Sequence, residues 1–227
     1  MQQPRDPYHH TRFRPRVGKD RLWRTLLAYL ERFYPERVSD VLDLGSGYCE
    51  LINNVAAPRR VAVDLWPGVR EQAAAGVDVC VRSVADLSDL GLDRFDLVFA
   101  SNIFEHLGRD DVRLCLAETR AVMRPGGRLL VIQPNFRLCY RSYFDDYTHV
   151  TVFTDRSLED QLRGAGFAIF HRQPRFLPFS ANATRVGWPW LLWCYLRSPI
   201  KPMAGQMLFV AEKPATTQPD NECLTGE

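Results

Sequence analysis

A short apolar run, Val41-Leu42-Asp43-Leu44, stops abruptly at Gly45-Ser46-Gly47. Consecutive apolar residues need burial on both faces, and two glycines at the end permit a turn too tight for ordinary side chains. The run therefore reads as a buried strand feeding a glycine loop. Four similar runs follow: Val61-Ala62-Val63-Asp64, Val77-Asp78-Val79-Cys80-Val81, Phe95-Asp96-Leu97-Val98-Phe99-Ala100 and Leu129-Leu130-Val131-Ile132. Helix-sized segments separate most of them, and one is expected directly after the glycine loop. A helical face (Leu22, Trp23, Leu26, Leu27, Leu30, Phe33) precedes the first strand, and 110–123 has helical spacing until Arg124-Pro125-Gly126-Gly127 turns the chain. Strands alternating with helices give parallel crossovers and helices on both faces, a doubly wound α/β sheet.

After the fifth strand the alternation loosens. The pattern predicts a helix over 157–164 and strands over 167–171 and 207–212, with a Pro- and aromatic-rich insertion at 174–205 acting as a cap or a dimer contact. One domain over 21–213 is expected, between a flexible basic N-terminus (1–20) and a disordered tail (214–227). The chain has 227 residues, 46% hydrophobic, which suits one good core. Its net charge of +2 offers no global field for a polyanion, so nucleic acid is not an expected partner. Six cysteines without a CxxC pair indicate neither a zinc site nor a disulfide framework. The start has no apolar secretory region and the longest apolar run, 187–196, is too short to span a bilayer, so a cytoplasmic location is expected.

A glycine turn after the first strand of such a sheet is a nucleotide cradle. The dinucleotide fingerprint GxGxxG would place its third glycine at position 50, where this chain has Glu50. On the opening turn of a helix, that carboxylate would oppose a pyrophosphate, which disfavours NAD. Three acids instead stand near three successive strand ends. Asp43 can attract an amino group, Asp64 can accept from ribose hydroxyls, and Asp86 is placed for an adenine amino group, with Val84, Ala85 and Leu87 beside the ring. These are the groups that S-adenosylmethionine (SAM) presents.

The strings VLDLGSGYCELI, VAVDLWP, FDLVFASNIFEHL and VMRPGGRLLVIQPN resemble the successive motifs of class I SAM-dependent methyltransferases, in particular the type 11 methyltransferase-domain group. The resemblance covers about 38–210. It implies a Rossmann-like seven-stranded sheet of order 3-2-1-4-5-7-6 with strand 7 antiparallel, and a cofactor site of Asp43, Gly45, Gly47, Asp64, Leu65, Asp86, Leu87 and Asn102. The family pattern carries a further glycine where this chain has Cys49.

Methyl transfer to a hydroxyl needs a base for the departing proton. His149 stands in YFDDYTHVTVFT beyond the fifth strand, with Asp145 and Asp146 close enough to orient it, and His106 lies in the loop after the fourth strand with Asn102 and Phe104. These give His149, Asp145 and His106 as candidate catalytic residues. Glu105, Asp146 and His149 could also hold a divalent ion such as Mg2+. The segment 133–206 resembles members associated with sugar and polysaccharide biosynthesis, which implies a sugar or glycan hydroxyl as acceptor, with a methylated mannoside as one setting. The alternatives are a phenolic, lipid or amine acceptor, or a catalytically silent SAM-fold subunit. A homodimer is one use for the aromatic run.

Overall fold

Seven strands form one sheet of order β3-β2-β1-β4-β5-β7-β6 in the computed structural model, which describes residues 19–178 and 188–215. The strands are β1 (Asp40–Leu44), β2 (Arg59–Asp64), β3 (Val77–Val81), β4 (Phe95–Ser101), β5 (Met123–Pro134), β6 (Ala168–Gln173) and β7 (Gln206–Glu212). β1 to β5 pair in parallel, and β7 runs antiparallel to both β5 and β6. The expected order and the reversed seventh strand are therefore both present.

Period-2 alternation sorts the strand side chains into two cores. Leu42, Leu44, Val98, Ala100, Leu129, Val131 and Phe209 face α3 (Arg109–Val122) and α5 (Asp155–Gly164). Val41, Leu97, Phe99, Leu130, Ile132 and Leu208 face α1 (Lys19–Leu30) and α6 (Pro189–Arg197). Two further helices, α2 (Val69–Gln72) and α4 (Phe136–Cys139), are single turns. α5 starts at a capping box in which Thr154 and Ser157 satisfy each other's backbone N–H groups.

Several expectations need correction. No full helix follows the glycine loop; the chain makes a 3-10 turn at Ile52–Asn54 and enters β2 at Arg59. Glu50 therefore does not stand at a helix N-terminus where it would oppose a pyrophosphate; its carboxylate accepts from Trp23 Nε1 (3.2 Å). Arg124-Pro125-Gly126-Gly127 does not separate helix from strand as a loop. α3 ends at Val122 and β5 begins at Met123, with the register break opposite 95–97 absorbing the turn. A Cβ on Gly127 would lie 2.8 Å from the Arg124 carbonyl oxygen, so the close passage requires glycine there. The 174–205 insertion contains α6, whose Leu192 and Leu196 pack into the α1 core. The first helix already includes Lys19 and Asp20, inside the stretch expected to be flexible; 1–18 and 216–227 lie outside the described residues, as do 179–187 of the insertion. No described helix is long and apolar enough to cross a membrane.

Candidate active site

The carboxyl ends of β1, β2, β4 and β5 lie side by side, so the loops leaving them share one edge of the sheet. At β1 the chain turns through Gly45 (φ 68°) and Gly47 (φ 49°), both in the left-handed region that glycine enters freely. A Cβ on Gly45 would lie 2.7 Å from Ile103 Cδ1, so that position admits no side chain without moving the β4 loop. The Cβ direction at Gly47 meets nothing within 4 Å, which leaves the backbone open to approach. Cys49, at the family's further glycine position, also has positive φ (56°) and is fully buried. A side chain thus occupies a glycine-like conformation, at a cost of about 1 kcal/mol or more.

Asp64 ties this loop together. One carboxylate oxygen accepts from Gly47 N–H (2.7 Å) and the other from Trp66 N–H (2.7 Å). A carboxylate offers about four acceptor directions, so two bonds leave capacity for ribose hydroxyls. Asp43 is buried, and burial pushes its carboxyl up to about 8; a bond involving Ser46 pulls it down and the neighbouring Asp64 pushes it further up. An ammonium group beside Asp43 would restore its charge. These features fit the amino acid end and ribose of SAM.

The remaining cofactor candidates surround this centre. Leu65 is exposed immediately after Asp64, Asp86 is exposed in the β3 loop, and Leu87 is buried with its N–H bonded to Glu118 on α3 (3.1 Å). Asn102 also has positive φ (52°); its N–H reaches the Ile132 carbonyl at the end of β5, and its side-chain oxygen accepts from Gln206 (2.8 Å). Glu118 and Gln206 were not identified from sequence, because each acts from an element far away along the chain.

The histidines meet although 42 residues separate them. Val150 and Thr151 N–H groups both bond to the Glu105 carbonyl (2.9 and 3.1 Å), and Thr151 Oγ1 bonds to the Leu107 carbonyl (2.5 Å). This stitching brings the His106 and His149 rings to 5.0 Å, edge to face. His149 is buried, with Nδ1 2.6 Å from the Tyr143 carbonyl. A carbonyl only accepts, so Nδ1 carries the proton and Nε2 carries the lone pair. Thr148 Oγ1 donates to Asp146 (2.6 Å), so its contact with His106 Nδ1 (2.9 Å) must have the imidazole donating. Burial, and then His149, push the His106 imidazole below its usual range, which keeps it neutral near pH 7. Burial acts against the Asp146 charge, but its bonds to Thr148, and then electrostatic attraction to His149 and His106, hold the carboxyl low.

Asp146 is thus linked to His106 through Thr148, and Asp145 is exposed at the end of the 3-10 turn Tyr143–Asp145. The structure also changes the expected metal set. Glu105, His106 and His149 offer ligand atoms within 4.8 Å of one another; His106 replaces Asp146. Glu105 is 1% exposed, burial pushes its carboxyl up to about 8, and its Oε2 has no hydrogen-bond partner among the described residues. Gln133, at the end of β5, is also buried, with both amide atoms unpartnered among the described residues. Sequence reasoning missed it as a site residue, although it opens the QPN string.

Comparisons with known proteins agree with this geometry. Residues 42–131 match the family model described as a methyltransferase domain. Malonyl-[acyl-carrier protein] O-methyltransferase of Hahella chejuensis is 37% identical over 99 residues, which cover 40% of this chain and 35% of that protein. The match thus spans about a third of that relative's length. A SAM-dependent methyltransferase structure from Archaeoglobus fulgidus superposes with TM-score 0.62 at 19% identity, covering 84% of this chain and 94% of the other. N-methyltransferase NodS from Bradyrhizobium japonicum, in complex with S-adenosyl-L-homocysteine (SAH), gives 0.62 at 15% identity, covering 90% and 92%. Residues 42–131 thus match a methyltransferase-domain family model, and the chain shares its fold with these methyltransferase structures.

Proposed function

We propose that the protein is a SAM-dependent methyltransferase acting on an oxygen acceptor, a hydroxyl of a sugar or an oligosaccharide or polysaccharide precursor. The observation that carries this reading is the glycine loop: Gly47 is open to approach, Asp64 holds it in shape, and buried Asp43 stands where a cation would restore its charge. SAM, when bound, supplies a methyl group already activated by the sulfonium. The chain then has to align the acceptor and accept its proton. His106 and His149, each with its Nδ1 committed to an oxygen, present Nε2 as the basic nitrogen.

The oxygen acceptor is supported by the activity of the Hahella relative, an O-methyltransferase. A sugar is supported by the exposed rings of Tyr140, Tyr147, Trp188 and Trp190, which offer faces for a sugar ring. That relative also favours a second reading, a carboxylate acceptor, because a malonyl group presents a carboxylate oxygen that has no proton to lose.

One experiment separates the two. Methyl transfer from labelled SAM is measured on a panel of glycosides and acyl carboxylates, for the wild type and His149→Ala. Turnover on a glycoside that falls about 100-fold in the variant supports the hydroxyl reading. Turnover confined to carboxylates and unchanged in the variant contradicts it.

A further inference from the structure

We propose that Glu105, His106 and His149 form a binding site for a divalent transition-metal ion. Its chemistry would be to polarise the acceptor oxygen, a role that rests on the methyltransferase reading; ion binding itself does not. Two imidazoles and one carboxylate, with ligand atoms within 4.8 Å of one another, make up a two-histidine, one-carboxylate donor set. Donors bound at about 2.1 Å to one ion stand roughly 3 to 3.5 Å apart, so about 1 Å of side-chain movement would close the site.

A second observation points to a ligand. Glu105 Oε2 is buried and has no hydrogen-bond partner among the described residues. A buried carboxyl oxygen left without a partner is costly, and a bound cation removes that cost.

The outer groups are also those a metal site uses. Histidine ligands ordinarily donate their second N–H to a carbonyl or carboxylate, which fixes the ring and its tautomer. Here His149 Nδ1 bonds to the Tyr143 carbonyl, and His106 Nδ1 reaches Asp146 through Thr148 Oγ1. Both rings therefore carry the lone pair on Nε2. The bonds from Val150 and Thr151 to the Glu105 carbonyl hold the two ligand segments in register without the ion.

Donor chemistry selects the ion. Imidazole nitrogen suits Zn2+, Fe2+, Co2+ and Mn2+, whereas Mg2+ and Ca2+ prefer an all-oxygen shell. The expected Mg2+ is thus replaced by a softer ion. With three protein ligands, at least one coordination position remains for an acceptor oxygen. When the ion is bound, His149 serves as a ligand rather than as a base.

The test uses the full chain, with His9 and His10 replaced by alanine to remove an adventitious pair, and stripped with a chelator. Zn2+, Co2+ and Mg2+ are titrated by calorimetry, and Co2+ also by visible absorption. One site per chain is expected for Zn2+ and Co2+, with Mg2+ at least about 100-fold weaker. Glu105→Gln preserves shape and should weaken Co2+ at least about 30-fold, as should His149→Ala. Co2+ binding of equal strength in Glu105→Gln, or no saturable binding by the parent, overturns the site. If His149→Ala melts without cooperativity, Glu105→Gln decides alone. A parallel SAH titration reports the cofactor site independently: absence of ion binding by the parent chain with SAH binding intact defeats this inference and leaves the proposed function standing.

Discussion

Strand β1 carries a buried aspartate at each end, and the two have opposite fates. Asp40, at the N-terminal end, is fully buried yet surrounded by cations: Arg59 bonds both its oxygens (2.6 and 2.5 Å), with Arg94 and Arg124 at 3.4 and 3.5 Å. The Arg59 bond, followed by further cationic contacts, holds its carboxyl below the usual range despite burial. Asp43, three residues on, is equally hidden but has no such cluster, and burial pushes its carboxyl up to about 8. Complete pairing at one end stabilises the sheet. Incomplete pairing at the other leaves a charge deficit that a cationic ligand can fill. The N-terminal edge is built for stability and the carboxyl edge for binding.

Separating the two ends should give the largest effect first. Asp40→Ala is expected to cost about 3 kcal/mol in urea unfolding, a figure tempered by the partial exposure of the three arginines, with SAH affinity unchanged in the fraction that remains folded. A loss below 1 kcal/mol would mean that the cluster is decorative. Asp43→Asn should do the reverse: it replaces a neutral buried acid with an isostere, so the melting temperature holds or rises. Calorimetry should show SAM affinity falling about 100-fold, the scale of one lost charge-assisted bond.

Acid and alkali sharpen the same contrast. Asp43 and Glu105 have folded values near 8 against ordinary unfolded values near 4. Between those limits the folded state binds more protons than the unfolded state, so both groups make stability fall as pH rises from about 4 to 8. Asp43→Asn and Glu105→Gln should each flatten that decline in denaturant midpoints measured across the range. Asp40 has a lowered folded value, so its contribution is present above its unfolded value and is lost as pH falls through the folded one. Asp40→Asn should therefore weaken the dependence on acid rather than alkali.

The smallest effect concerns Cys49. At φ 56° glycine is favoured, so Cys49→Gly should be more stable than Cys49→Ala by about 1 kcal/mol, the opposite of the usual ranking. Paired urea midpoints of the two variants check it.

The sheet was legible because strands buried on both faces must be apolar throughout, as Val41 to Leu44 and the β4 run are, and glycine punctuates their ends. The connections were less so. Between Leu44 and Arg59 the chain must descend the full sheet in 14 residues, and a 3-10 turn at Ile52–Asn54 is what fits after the loop. The acids Asp43 and Asp64 could be placed by strand position, since Asp64 closes its run and Asp43 stands one residue before the end of its own. The histidine centre could be only half seen. His149 stood out by its neighbours, but its proximity to His106 depends on the Glu105 carbonyl holding residues 150 and 151, a backbone contact that leaves no side-chain signature. Sequence places Asp145 and Asp146 both close to His149; that Thr148 bonds Asp146 is a matter of side-chain geometry.

The central claim is that the glycine loop and its two acids form a SAM site. Isothermal titration of the full chain with SAM and SAH, beside Asp64→Ala, tests it most directly. The account predicts one site per chain with micromolar affinity or better, weakened at least about 10-fold in the variant, because Asp64 both shapes the loop and accepts from the ligand. Absence of saturable binding for either ligand, in protein that unfolds cooperatively, would contradict it.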